Sequence, residues 1–361
     1  MPSPFRSQPA LTRRAVIAGG TLAAVGWAGG CSTPRAGRPR AELLSSPPRP
    51  HTVLVALDLQ DSGRRPVAGA LRRLAERAES AAAGVEVAVA LGASVFDRAG
   101  LAARRPRQLA VMPAFSGDVL DPRRCHGDVL VQMGADTVEE ADREAGAIVD
   151  DLPVRWRMSG FREGARIDAG RPVATNLFGF VEGHGNPEPA SGADLVRVDD
   201  RHGDPAWAVG GSYLVIRVIQ FATELWNRDP VAEQERIIGR RRDGSWPDGR
   251  PADAEPAYAA DPHGRHTPLD SHVRRANPRD GAAPPMTRRG YSFRGRDSAG
   301  RDEEGLLFTA YQSDLAAGFE AVQRRLAGER LGRYTLTVGG GYFFVPPRAG
   351  TTRWVDPLLD L

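Results

Sequence analysis

The sequence predicts an α+β fold built as two similar halves. Strand-then-helix segments of one kind recur in both halves. Strands do not simply alternate with helices along the chain, and 361 residues is about two domains' worth. In the first half, Thr52–Leu59 reads as a strand. Residues 66–82 read as a helix, because Val67, Leu71, Leu74, Ala75 and Ala78 share one face and Pro66 suits the first turn. Residues 127–133 read as a second strand, and 138–152 as a helix rich in Glu, Asp and Ala. In the second half, 212–219 and 305–312 read as strands. Residues 314–327 read as a helix, with Leu315, Phe319, Val322 and Leu326 on one face. Each half fits a ferredoxin-like unit. Residues 239–304 read as one long irregular stretch rich in Pro, Gly, Arg and Asp. Such a length is usually functional or disordered.

Composition narrows the chemistry. Two cysteines exclude a disulfide scaffold and a four-cysteine zinc site. No lysine occurs, which excludes a lysine nucleophile, a Schiff base and a Walker-type phosphate loop. The net charge is +3, with acids interspersed among the arginines, so no broad basic field calls for nucleic acid.

Residues 1–31 read as a targeting segment. Arg13-Arg14 precede a mild apolar stretch, Ala15 to Ala28, too short and too glycine-broken to span a membrane. The twin arginine suggests Tat export; a general secretory signal is the plainer reading. Ala28-Gly29-Gly30-Cys31 partly matches a lipobox, which would leave Cys31 as a lipid anchor; an ordinary cleavage site beside an incidental cysteine is the alternative. Residues 32–50, rich in Pro, Arg and Ser, read as a linker. The expected organisation is then 51–200 for the first domain and 201–361 for the second.

Three segments hold the candidate chemistry. Asn176–Pro187 is dense in Gly, Asn and Pro and reads as a structured loop, with Glu182 set among glycines that let backbone approach a ligand. On residue types alone, it is a plain turn or a site. In Leu269–Arg279, His272 precedes a helical turn that Asn277-Pro278 ends. A lone histidine is more often a satisfied structural residue than a ligand. Met286–Phe293 contains Arg288-Arg289, and paired arginines are usually solvated.

Taken together and in order, these segments resemble the dye-decolourising peroxidase family. The usual loop there is Gly-Phe-x-Asp-Gly-x-x-Asn-Pro, and the usual ligand segment His-Ile-Arg-x-x-Asn-Pro-Arg, followed by Arg-Arg-Gly-Tyr. Met112–Asp118, Gly211–Val215, Glu233–Arg240 and Gly339–Phe344 extend the resemblance over about residues 52–348. It implies two ferredoxin-like domains of the dimeric α+β barrel type, with b-type haem held mainly by the second.

The resemblance also implies residue roles. His272 is the expected proximal ligand to haem iron, with Asp270 and Asp314 as candidate partners for its second nitrogen. Arg288 matches the distal arginine, and Arg289 is expected to face a haem propionate or solvent. Gly183 and Asn186 are expected to border the cofactor. Glu182 stands where the family usually has aspartate, the distal acid–base group. The extra C–C bond, about 1.5 Å, leaves three outcomes open. Glu182 bends back and works, or it binds differently and activity is low, or His184 or a water shares the proton transfer. Trp156, Trp207, Trp226, Trp246, Tyr258, Tyr291 and Tyr311 read as packing before they read as an electron relay.

The leading functional expectation is an exported haem peroxidase that takes hydrogen peroxide and oxidises a bulky organic donor or ferrous iron. The alternative is a haem-binding or iron-handling protein of the deferrochelatase kind with weak or no peroxidase activity, which Glu182 favours. A repeat protein without haem is the plainest reading. A homo-oligomer is compatible with each.

Overall fold

A computed structural model describes residues 44–187, 193–281, 285–297 and 299–359. The targeting segment with Arg13, Arg14 and Cys31 lies outside the described residues. Among those residues, no helix is long and apolar enough to cross a membrane.

The first half runs β1 (His51–Leu57), a helix (Arg64–Glu79), β2 (Glu86–Leu91), β3 (Val129–Ala135), a helix (Val138–Val149) and β4 (Val154–Phe161). A small antiparallel sheet follows, made of β5 (Glu163–Asp168), β6 (Arg171–Thr175) and β7 (Val181–Glu182). The second half runs β8 (Ser212–Phe221), short helices, β9 (Thr287–Arg296), β10 (Asp302–Gln312), a helical segment and β11 (Thr335–Val345). The eight long strands close into one barrel in the order β1-β3-β2-β11-β8-β10-β9-β4. Each half therefore supplies four antiparallel strands in the same relative order. The two sheets meet at single paired positions, Phe344 with Leu91 and Phe161 with Ser292. The described residues form one compact unit.

The strand readings hold because these strands are buried on both faces, which makes their sequences nearly continuous apolar runs. Val53, Val55 and Leu57 turn outward onto the helices, while Leu54 and Ala56 turn into the barrel. The same alternation sorts the second half. Val215, Ala310 and Phe344 face the outer layer, while Leu214, Ile216, Tyr291, Leu307 and Tyr311 fill the interior.

Four expectations are corrected. The long irregular stretch ends in the ten-residue strand β9, whose polar and charged run hid it. The helix expected over 314–327 is a π-helical turn, Ala316–Glu320, leading into an α-helix, Ala321–Leu326. β2, β4 and β11 lie where the sequence analysis predicts no strand. Residues 44–50 are not a free linker: Leu44 is buried in the interior cluster, and Arg49 pairs with Glu86 at 3.3 Å.

One buried ion pair ties a loop to the outer face of the second sheet. Arg217 Nη1 donates to Asp118 Oδ2 at 2.8 Å, and a second contact makes the pair bidentate. Both side chains are buried, and the guanidinium lies over Phe115 and Phe319. Asp118→Ala strands that charge and should destabilise the protein by about 3–5 kcal/mol. Denaturant unfolding checks this; a loss under about 1 kcal/mol would show the charge is compensated elsewhere.

Candidate active site

The site lies on the outer face of the second sheet. Arg288 pairs with Ala310 and Gly290 with Phe308, so all four share that face. Phe308 packs near Phe319 of the π-helical turn, with ring centroids 6.2 Å apart. The same helical layer carries the His272 segment.

His272 opens a short helix, His272–Ala276. That helix is clamped to Ala321–Leu326 by reciprocal arginines. Arg275 donates to the carbonyls of Arg325 and Ala327 at 2.8 and 2.7 Å, and Arg325 donates to those of Arg275 and Ala276 at 3.2 and 2.8 Å. Each guanidinium thus satisfies carbonyls that the other helix's end leaves open. Glu329 follows directly, and its Oε2 lies 2.8 Å from His272 Nδ1. This corrects the expected partner. Asp270 is exposed, and Asp314 accepts from the Ala317 amide at 2.8 Å. A carboxylate accepting from Nδ1–H fixes the ring and leaves the Nε2 lone pair free to ligate. Among the described residues Nε2 has no partner, and the side chain is 32% exposed.

Glu182 ends β7, with Ala174 of β6 opposite. Asn176 shapes the loop before it: its Oδ1 accepts the amides of Phe178 and Phe180, and its Nδ2 reaches Glu182 Oε2 at 3.5 Å. The Glu182 carboxylate rests against Gly290, in the space a β-carbon would need. Arg162, which donates to the Gly290 carbonyl at 2.9 Å, lies on the same side. Burial pushes the Glu182 carboxyl above its ordinary range, while Arg162 and Arg288 pull the other way. Gly183 has φ +114°, and a β-carbon there would sit 2.5 Å from the Pro172 carbonyl, so only glycine lets the loop close on β6.

Glu182→Gln tests the direction of that shift. A carboxyl whose folded pKa is raised holds its proton better in the folded state than in the unfolded chain. Its stability cost therefore begins above about pH 4.3 and grows until the folded pKa is passed. The variant should melt with wild type near about pH 4 and increasingly above it as pH rises to about 8. A difference that stays flat across that range would show that the carboxyl is not shifted upward.

Arg288 is held by Asn186. The Asn186 amide donates to the Arg288 carbonyl at 2.6 Å and accepts from the Arg288 amide at 3.0 Å, an imitation of strand pairing along the open edge of β9. The Arg288 Nε also reaches Asn186 Oδ1, at 3.2 Å. Asn186, expected to border the cofactor, thus spends its amide on positioning Arg288. The Arg288 side chain is reached by solvent; desolvation lowers its pKa, Glu182 pulls it back up, and Arg279 lowers it. Arg279 follows His272 by seven residues, so the charge of the segment after His272 is felt at β9.

Arg289 turns the other way. It pairs with Thr309, on the face of Tyr291 and Tyr311, and is 3% exposed inside the barrel. It does not face solvent, which corrects one expected role. His184 is also buried; its Nε2 lies 3.5 Å from Asp168 Oδ2, and burial lowers its pKa. Of the candidate relay aromatics, all but Tyr258 are buried packing residues, and Tyr258 lies under Arg274. Cys125 is buried, and burial raises its thiol pKa, which leaves it inert. Asn176 opens the loop segment already singled out in the sequence; Glu329 and Arg162 carry no local spacing that joins them to His272 or Glu182.

Family sequence models match two stretches of the chain. Residues 44–162 match the N-terminal part of the Dyp-type peroxidase family, and residues 173–350 match its C-terminal part. This chain belongs to the Dyp-type peroxidase family. It is 43% identical over 274 residues to a deferrochelatase of Yersinia pestis, covering 72% of this chain and 63% of the relative. A deferrochelatase of Escherichia coli is 41% identical, with 72% and 65% covered. The chain thus spans less than two thirds of the length of the curated relatives it matches. A Dyp-type peroxidase from Cellulomonas bogoriensis superposes with TM-score 0.76 at 32% identity, covering 88% of this chain and 95% of that one. Ferric DtpA from Streptomyces lividans also gives 0.76 at 32%, with 88% and 94% covered. The closed antiparallel barrel with flanking helices is the architecture shared with these Dyp-type chains.

Proposed function

We propose that this protein is a haem-dependent peroxidase of the dye-decolourising type, reducing hydrogen peroxide and oxidising a bulky organic donor or ferrous iron. The observation that carries the reading is His272, with Nδ1 engaged by Glu329 and Nε2 without a partner among the described residues, on a helix packed against Ala321–Leu326. The donor set fits b-type haem: one imidazole whose Nδ1 is held by the Glu329 carboxylate, which raises the basicity of the ring as a ligand. When bound, haem supplies the redox-active iron at which peroxide is reduced. Arg288 supplies a fixed positive charge to the peroxide as its O–O bond breaks. Glu182, its pKa raised by burial, holds or passes a proton at its carboxyl oxygens. Asn186 keeps Arg288 in place, and the apolar Phe308 and Phe319 limit water.

The same reading treats each half as a ferredoxin-like unit. It takes residues 1–31 as a Tat address and Cys31 as the lipid anchor of an envelope protein. Arg13-Arg14 and Gly30-Cys31 support this. A second reading, haem binding or iron handling with weak peroxidase activity, is favoured by the Glu182 carboxylate resting against Gly290 beside Arg162.

One experiment separates the readings. The purified chain is titrated with haemin, and its spectrum is recorded before and after one equivalent of peroxide. A Soret band that changes with peroxide and recovers with a donor supports the peroxidase. A Soret band that ignores peroxide leaves only haem binding, and no Soret band removes both.

A further inference from the structure

The loop that carries Glu182 and Asn186 also carries His184, to which the reaction proposed above gives no task. His184 is 6% exposed, and neither ring nitrogen has a hydrogen-bond partner among the described residues. The nearest acceptor is Asp168 Oδ2 at the end of β5, 3.5 Å from Nε2. That carboxylate is half-exposed, so solvent screens it. On another side the ring packs against Gly244, where a β-carbon would meet Cδ2 at 2.9 Å and Nε2 at 3.1 Å.

The ring is thus a wedge between β5, the loop and the segment around Gly244. That segment is tied to the loop twice. The Val181 amide donates to the Arg242 carbonyl at 2.9 Å, and His184 fills the space beside Gly244. Arg240 holds the segment in shape. Its Nη1 donates to the carbonyls of Gly244 and Ala252 at 2.6 and 2.8 Å, and its guanidinium lies 3.8 Å over Trp246. Burial holds the His184 pKa below its ordinary value; Asp168 pulls it up, Arg240 and Arg166 push it down, and Asp253 pulls it up. A neutral imidazole can occupy this slot with open nitrogens at modest cost, whereas an imidazolium there would lack the acceptors it needs.

We propose that His184 is a positioning residue for Glu182 and Arg288: as a neutral ring it locks their loop against the Gly244 segment, and as a cation it leaves the slot and releases that loop. Asn186 lies two residues on and pins Arg288, so release loosens the carboxylate and the guanidinium together. The inference rests on the proposed peroxidase only for what the loop does with peroxide. The latch itself belongs to the folded chain without haem.

Haem-free protein tests the latch. Histidine ring resonances, assigned with His184→Gln, should show His184 titrating below about pH 6.5; a midpoint at or above that value overturns the proposal. Below that pH the unfolded chain takes up the proton more readily than the folded one. The melting temperature of wild type relative to His184→Gln should therefore be highest above about pH 7 and fall as pH drops through about 6.5 to the folded midpoint. Hydrogen exchange of peptides covering residues 181–186, corrected for intrinsic rates, should rise over the same interval in wild type and stay flat in His184→Gln. Exchange that is flat in both denies the release. Asp168→Asn removes a pull toward the charged ring, so it should move the transition to lower pH; an unmoved or raised midpoint counts against the pairing. If His184→Gln does not fold, the Asp168→Asn shift in wild-type-like exchange decides. With haem added, the rate of reaction with peroxide relative to His184→Gln should fall over that interval, and a flat ratio overturns the positioning role. Failure to bind haem would instead defeat the peroxidase reading and leave the latch to the haem-free measurements.

Discussion

His272→Ala should abolish stable ligation of haem iron. The imidazole is oriented by Glu329 at 2.8 Å, and the helix it opens is clamped by Arg275 and Arg325, so no neighbouring side chain can take its place without moving that helix. The fold should survive, because the clamp does not pass through the imidazole and the side chain is partly exposed. The measurement is the Soret band after haemin titration, read beside far-UV circular dichroism. An unchanged Soret band on a folded variant would mean that another residue is the ligand. Glu329→Gln gives the finer result. It keeps an acceptor near Nδ1 but removes the negative charge, so imidazole basicity falls. Haem should stay bound while the reduction potential of its iron rises. A potential equal to wild type would remove Glu329 from the site's electrostatics.

Arg288→Ala should leave the Soret band intact and slow the reaction with peroxide by about 10²–10³. The size follows from the kind of interaction lost, a charge preorganised by Asn186 and aimed at developing negative charge. Asn186→Ala should slow the same step less. It leaves the charge and removes only the paired hydrogen bonds at 2.6 and 3.0 Å that hold the strand edge carrying it. Stopped-flow mixing with peroxide reads both variants. A loss below about tenfold in Arg288→Ala would deny it a role at the transition state. An Asn186→Ala variant slower than Arg288→Ala would reverse the ordering of the two roles.

Different parts of the molecule were legible in the sequence for different reasons. The doubly buried strands β1, β3, β8 and β10 show as apolar runs, because neither face meets water. β4 and β9 do not. β4 carries alternating arginines on an exposed face, and β9 opens on Thr-Arg-Arg-Gly, so local composition speaks for loop. Glu86 and Leu44 join the interior through partners far along the chain, and no window of sequence contains both members. At the site, His272, Arg288 and Glu182 were reached through ordered motifs. Their supports were not: Glu329 lies 57 residues from His272, and Arg162 meets Glu182 across a strand from the other half.

The α+β class, the recurrence of one plan in two halves and the three candidate segments are legible from the chain's residues alone. These depend on periodicity and short motifs, which are local properties of the chain. Only the tertiary structure decided that the halves close into a single barrel, and that the carboxylate behind His272 belongs to Glu329. It alone parted the neighbouring arginines, sending Arg288 to the outer face and Arg289 into the interior. The physical reason is register. A strand places successive side chains on opposite faces, and which face becomes a site depends on what packs there from elsewhere in the chain.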